Sequence, residues 1–572
     1  MRRLVRRTSI VLLAVALLAT ACSPSDDGAQ QTTTTASDGG TTATTVASGS
    51  TDSTAPSSGT DIPDTLNIHV AEFATLNPFL SSGIGRGTVA AIIYQPLVFL
   101  GPNSEVMGGA AKSWEVSDDG LTITFHLRDD LTWSDGEPFT SADVLWSMSK
   151  YLTPDLSLWA NRIGGVLGQG EGDVPSGLSA PDDYTFVVQL AGPNPSWLTI
   201  LAAQGFVISM LPEHVLSTMS NEELSTTEYF NDAPVTLGPY KFVDWQRDQY
   251  VDLERDPNWP SQPAFDNVRL SFLQSDVASA QLETGDLHLS AQIAPLEAAR
   301  LEALDNVTVD SVPGVWPEVL QFTVDDPAIS DPRVRQAMIY SLDLDGLCSE
   351  VMAGFCRVTW NQVRLLAPEW AIPTDGLIDY EYNPDKAREL LAEAEADGAW
   401  DPSHRLTLIN IGGQDRVRST EAVVIQASFA AVGIGLDILS TDVGTLLDMA
   451  KDPAKRPEWQ MFINRGAHFA ADPNQVSPYN SCDTWYPNGA NISWYCRDDL
   501  DALWAQGLQA VTPEERAPIY HEAFQILNHD PDVIDLYWPD TIVAHASQLQ
   551  GLDPVGQPEH VTWNIADWTW GS

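Results

Sequence analysis

Within one short stretch near the end of the chain stand a guanidinium, an imidazole, an aromatic ring and a carboxylate: Arg465, His468, Phe469 and Asp472. Arginine meets a carboxylate through two parallel charge-assisted hydrogen bonds, so Arg465, with His468 near it, suits the anionic end of a ligand. Further on, Trp485 and Trp494 flank Asn488-Gly-Ala-Asn491, where flat faces can stack on a ligand or pack a loop. Groups of this kind recognise rather than transform. The sequence contains no HExxH, GxSxG or GxxxxGK[ST] motif. The run Gly164 to Gly172 reads as a loop rather than a phosphate cradle. With 78 acidic residues, any chosen pair of carboxylates carries no glycosidase signal. Binding is therefore the leading chemistry, and an exported hydrolase the weakest reading.

Five cysteines are present, and Cys22 stands apart from Cys348, Cys356, Cys482 and Cys496. An even number outside the cytoplasm favours disulfides. Four cysteines allow three connectivities, and the short separations favour Cys348 with Cys356 and Cys482 with Cys496. Zinc is the competing reading, but neither a CxxC spacing nor a nearby histidine pair accompanies them. No metal or other cofactor is expected.

The elements that carry these residues begin after an export signal. Met1-Arg-Arg-Leu-Val-Arg-Arg7 is basic, and Ile10 to Ala19 is a run of ten apolar residues. That run is short of the about 20 residues a membrane span needs. Ala19-Thr-Ala-Cys22 resembles the lipobox of bacterial lipoproteins, although Ala19 stands where leucine is usual. The resemblance implies a signal peptide over 1–21 and acylation of Cys22, which would hold the protein on the extracytoplasmic face of the membrane. Residues 22–60, rich in Ser, Thr and Gly and free of aromatic side chains, bury too little to offset their ordering entropy. They read as a flexible tether with a reach of about 35 Å.

The rest is long enough for two or three lobes. Apolar residues at 43% and 19 tryptophans provide a core. A net charge of −49 leaves no basic surface for nucleic acid. Thr65 to Val70 and Leu121 to Leu127 alternate as strands, whereas Pro384 to Ala396 and Ala422 to Val432 have helical spacing. The fold class is α/β.

Residues 112–144, KSWEVSDDGLTITFHLRDDLTWSDGEPFTSADV, closely resemble the peptide-type bacterial extracellular solute-binding proteins, family five. Trp114, Phe125 and Trp133 in that segment read as core. Leu237-Gly-Pro-Tyr-Lys-Phe242, Leu253-Glu-Arg-Asp-Pro-Asn-Trp259, Leu282-Glu-Thr-Gly-Asp-Leu287, Asp331-Pro-Arg-Val-Arg-Gln-Ala337 and Tyr382-Asn-Pro-Asp-Lys-Ala387 match further family motifs in the family's order.

The resemblance implies a three-lobed periplasmic-binding-protein-like fold, with two main lobes joined by a hinge and an inserted extra lobe. Lobe I is expected at 61–103, 233–322 and 540–572, lobe II at 104–232, and lobe III at 323–539. It also implies the substrate-binding component of an ABC importer, a monomer that captures a small solute between lobes I and III and delivers it to a permease. An oligopeptide is the first expectation for that solute. A tryptophan-stacked oligosaccharide, or a role in ligand sensing, is the alternative. Peptide binders of the family hold the ligand's amino terminus with an aspartate in an aromatic-x-Ala-Asp-Tyr segment. Phe469-Ala-Ala-Asp472 fits four of those places, and Pro473 replaces the tyrosine. A second register treats Asp472-Pro473 as a later family Asp-Pro and puts Phe469 where the aspartate belongs. Tyr537, Trp538 and Tyr94 lie where the family places aromatics beside the ligand.

Overall fold

In the computed structural model the described residues are 62–571, except 82, 360–371, 412–415, 453, 467–471 and 488. The signal, Cys22 and the tether lie outside them, as do His468 and Phe469.

Local signals place the elements where the pattern predicts. The helix Pro384–Ala396 has Asn383 as its cap, proline in its first turn, and Ala387, Leu390, Leu391 and Ala394 buried. These side chains repeat at three- and four-residue spacing, which puts them on one face. Thr65–Val70 and Thr122–Leu127 are strands, and Phe125 and Trp133 are fully buried, with Trp114 packed against them. In the loop from Gly164 to Gly172, Gly165, Gly168, Gly170 and Gly172 have positive φ, which only glycine adopts without strain.

Three sheets organise the chain. The first has seven strands, in the order Val307–Val312, Thr541–Ala546, Leu289–Ser290, Thr65–Val70, Asn267–Phe272, Tyr250–Arg255 and Tyr240–Gln246. The second is a four-stranded antiparallel sheet from Ala111–Val116, Thr122–Leu127, Thr185–Gln189 and Leu178–Asp182. The third has six strands, in the order Cys356–Arg357, Val533–Pro539, Glu318–Phe322, Met461–Arg465, Arg405–Ile411 and Gly435–Thr441. Arg405–Ile411 and Gly435–Thr441 run parallel, and the helix Arg416–Ala431 connects them. These sheets form lobes I, II and III. The strand Glu318–Phe322, placed in lobe I from the sequence, pairs instead with Met461–Arg465 and Val533–Pro539 of lobe III. The chain therefore crosses between Val312 and Glu318 and returns between Pro539 and Thr541.

Burial divides the molecule unequally. One hydrophobic core runs through lobes I and II, taking in Leu66, Ile68, Phe125, Trp133, Trp197 and Val543. Lobe III packs its own, around Leu320, Phe322, Leu408, Met461, Ile463 and Leu536. By their cores, lobes I and II form one body and lobe III another, and Phe355 of lobe III packs against the lobe I side.

Two disulfides form within lobe III. Cys348 joins Cys356, with their Cα atoms 6.1 Å apart, and Cys482 joins Cys496, with theirs 4.5 Å apart. Thiol titration of the denatured, unreduced protein should therefore find no free sulfhydryl among these four. Replacing Cys482 and Cys496 together by serine should cost about 2–4 kcal/mol in denaturant unfolding. Free thiols in the first measurement would refute the pairing.

Candidate functional site

Where the two bodies face each other lies a cavity of about 570 Å³. This is the size range of small-molecule sites. Lobe I contributes Ser275, the segment Ala291 to Pro295, and Thr541 and Ile542; lobe III contributes Glu318, Met352, Val417, Arg418, Arg465 and Tyr537. The crossing segments themselves, Gly314 to Trp316 and Pro539-Asp540, line it as well.

Most charges on this wall are already matched. Arg418 Nε donates to Glu318 Oε1 at 2.7 Å, and both side chains are largely buried. Arg357 lies 3.4 Å from Asp540, whose carboxylate also accepts from Ser311 Oγ at 2.8 Å. Tyr537 donates its hydroxyl to buried Glu421. Burial raises the phenol's pKa, and the negative charges of Glu421 and Glu318 raise it further, so Tyr537 remains a neutral donor. Arg465 differs. It is exposed at the end of its strand, in register with Glu318, and its side chain has no hydrogen bond or ion pair among the described residues.

Of the side chains singled out in the sequence, the structure brings Arg465 and Tyr537 together here. Others lie elsewhere. Tyr94 is buried in the core of lobes I and II. Trp494 is buried against Trp459, with rings 5.8 Å apart, and under the Arg456 guanidinium at 4.0 Å. Trp485 is half-exposed in the disulfide-closed loop and donates Nε1 to the Tyr495 carbonyl at 3.2 Å. Trp538 is buried and donates to Asp535 at 3.0 Å.

Asp472 does not line the cavity. Both of its oxygens accept from Arg516, at 2.8 and 3.0 Å, and each partner's side chain is 1% exposed. Asp472 also caps the short helix that begins at Pro473, by accepting from the Asn474 backbone at 2.8 Å. Arg516 reaches in addition the Gly507 carbonyl, Tyr520 Oη and, across in lobe II, Ser196 Oγ. The expected ammonium anchor therefore already has an internal cation, an arrangement that suits the second register. Glu318, Arg418, Glu421, Asp540 and Trp316 were missed in the sequence because no motif marks them; only their nearness to the lobe crossings could have.

Among the described residues, the one grouping of metal-ligand side chains is Cys482, Cys496 and Asp498. Its two sulfurs are bonded to each other.

The model of the bacterial extracellular solute-binding proteins, family 5 Middle, matches residues 105–487. The chain belongs to this family. Among relatives of this family-5 protein, the dipeptide-binding protein of Escherichia coli K12 is 26% identical over 505 residues, covering 84% of this chain and 90% of that protein. The oligopeptide-binding protein AppA of Bacillus subtilis, solved with a nonapeptide, superposes with a TM-score of 0.72 at 21% identity, over 89% of this chain and 99% of AppA. NikZ of Campylobacter jejuni, solved with Ni(L-His), gives the same TM-score at 24% identity, over 89% of this chain and all of NikZ. At such identities the structures establish the fold. Their ligands differ, so the ligand of this family-5 chain must be argued from its own cleft. No helix among the described residues is long and apolar enough to cross a membrane.

Two expectations follow. Asp472→Asn should destabilise the unliganded protein by about 3–5 kcal/mol, because it leaves a buried guanidinium without its counter-charge; unchanged denaturant unfolding would refute this bracing role. The second concerns buried Asp532 and Asp535, whose pKa values burial pushes up to about 7 from 3.8. Between those values the folded state holds protons that the unfolded state releases, so their contribution to stability falls as pH rises through that window. Replacing both by asparagine should flatten the loss of stability between about pH 5 and pH 7. Comparing variant with native protein cancels the general repulsion of a chain carrying −49. Parallel curves would refute the assignment.

Proposed function

We propose that this chain is the capture component of an ABC importer, a monomer that takes a short peptide-like solute into the cleft between lobes I and III and passes it unaltered to a membrane permease. The observation that carries this reading is the cavity itself. Its walls come from two bodies with separate cores, so the two crossings, together with the Arg516–Ser196 contact, are where closure on a solute would act. Arg465 and Tyr537 are the ligand contacts we assign from the sequence candidates. Family membership supports the import role, and the lipobox-like Ala19-Thr-Ala-Cys22 supports a lipid anchor on Cys22 at the extracytoplasmic face.

The peptide reading is favoured over the oligosaccharide reading. Sugar recognition by stacking needs exposed indole faces, and Trp316 is the one tryptophan among the described cavity residues.

A thermal-shift screen of peptides and oligosaccharides on the purified protein tests the reading. A ligand at 100 times its dissociation constant adds about 2.7 kcal/mol of stability. Peptides should raise the melting temperature, and mass spectrometry after incubation should recover them intact. Conversion of the bound compound would overturn the proposal.

A further inference from the structure

The charges around the cleft narrow the solute further. Glu318 and Asp540, the carboxylates on its wall, face Arg418 and Arg357 respectively. Glu421, behind Tyr537, accepts the phenolic hydroxyl. Asp472 is held by Arg516 away from the cavity. Arg465 is the wall charge left without a counter-ion among the described residues. Across the cleft, next to Pro558 of the lobe I wall, half-buried Glu559 lies beyond ion-pair distance of Arg465. Burial raises the pKa of Glu559, and the charge of Arg465 only partly opposes that rise. The remaining wall is largely apolar, with Ile293, Val315, Trp316, Met352 and Pro539.

A guanidinium in a largely apolar cleft, without an ion pair among the described residues, is a site for an anion. Its planar fork matches a carboxylate with two parallel hydrogen bonds, which a point-charge cation does not offer. Among the described wall residues, every carboxylate already has a cationic neighbour, so none remains to claim an ammonium group.

We infer that the cleft selects solutes by a carboxylate seated on Arg465, with an apolar body against Trp316 and Met352, and that it places no requirement on a ligand ammonium group. This rests on the peptide-capture reading above and specifies which end of the peptide is read.

The test uses the tripeptide Ala-Phe-Ala in four forms: free, N-acetylated, C-amidated and doubly blocked. Each is titrated calorimetrically into the native protein, Arg465→Gln and Arg465→Lys. In the native protein, amidation should weaken binding at least tenfold, and acetylation less than threefold. Arg465→Gln should bind the free acid and the amide equally, whereas Arg465→Lys should keep part of the preference. Because the Arg465 side chain is exposed and makes no hydrogen bond or ion pair among the described residues, the empty variants should melt with the native protein. Binding that ignores amidation, or that falls more on acetylation than on amidation, overturns the inference and leaves peptide capture standing. Silence toward all four forms overturns the capture reading, and the inference with it.

Discussion

The structure depends on one constraint: the chain must pass twice between two separately packed hydrophobic bodies. It does so with neighbouring strands. Val307–Val312 and Thr541–Ala546 pair antiparallel in lobe I, and their continuations, Glu318–Phe322 and Val533–Pro539, pair antiparallel in lobe III. The two passes thus form a ribbon that is hydrogen-bonded in both sheets and interrupted between them. Between the two sheets the ribbon has no strand pairing, and Phe355 of lobe III packs there against the lobe I core. The cavity abuts this interruption on both strands, through Val315, Trp316, Pro539 and Asp540. A solute in it would touch both bodies and the joint itself, so its contacts with a closed arrangement would bias the joint.

The Asp472–Arg516 pair shows how a charge is accommodated outside the cleft. Burying two ions costs several kcal/mol each, and the attraction offsets this only where the remaining donors are also satisfied. Arg516 meets that condition through two carboxylate oxygens, a carbonyl, a phenol and the Ser196 hydroxyl. Thr512 starts the helix Pro513–His529 with a capping box, and Arg516 and Tyr520 then fall one turn apart on the same face. Ser196 precedes the lobe II helix Trp197–Ala203, so the network also joins lobe III to the other body at a point that shares no strand with the ribbon.

Elements governed by short-range rules were legible in the sequence. Asn383 and the spacing of Ala387, Leu390, Leu391 and Ala394 define a helix without reference to the rest of the fold. Arg465 was legible as a candidate from its residue type, and Tyr537 from its position in the family pattern. Glu318 and Arg418 were not, since they meet only after distant segments fold together. Asp472 was visible as an acid, but its role depends on Arg516, far along the chain. The lobe boundary near 322 was misplaced because Glu318–Phe322 is apolar enough for either sheet, and strand pairing decides between them. Tryptophan count gave no guide to stacking: Trp494 and Trp538 are buried by packing that composition does not encode.

The overall charge of −49 and the local charge of the cleft act over different distances. At physiological ionic strength, exposed charges are screened beyond roughly 8 Å, so the acidic surface affects encounter more than recognition inside the cavity. Recognition there is left to the groups within contact range. Glu318 and Asp540 contribute polarity, but their arginine partners remove most of their charge. Arg465 has no such partner among the described residues, and closing the cleft would remove it from solvent. An unpaired guanidinium makes that closure costly, whereas a carboxylate brought by the solute turns the same step favourable. On the proposed reading, the closing movement and the choice of ligand would be governed by a single group, which would tie selectivity to the joint between the two bodies.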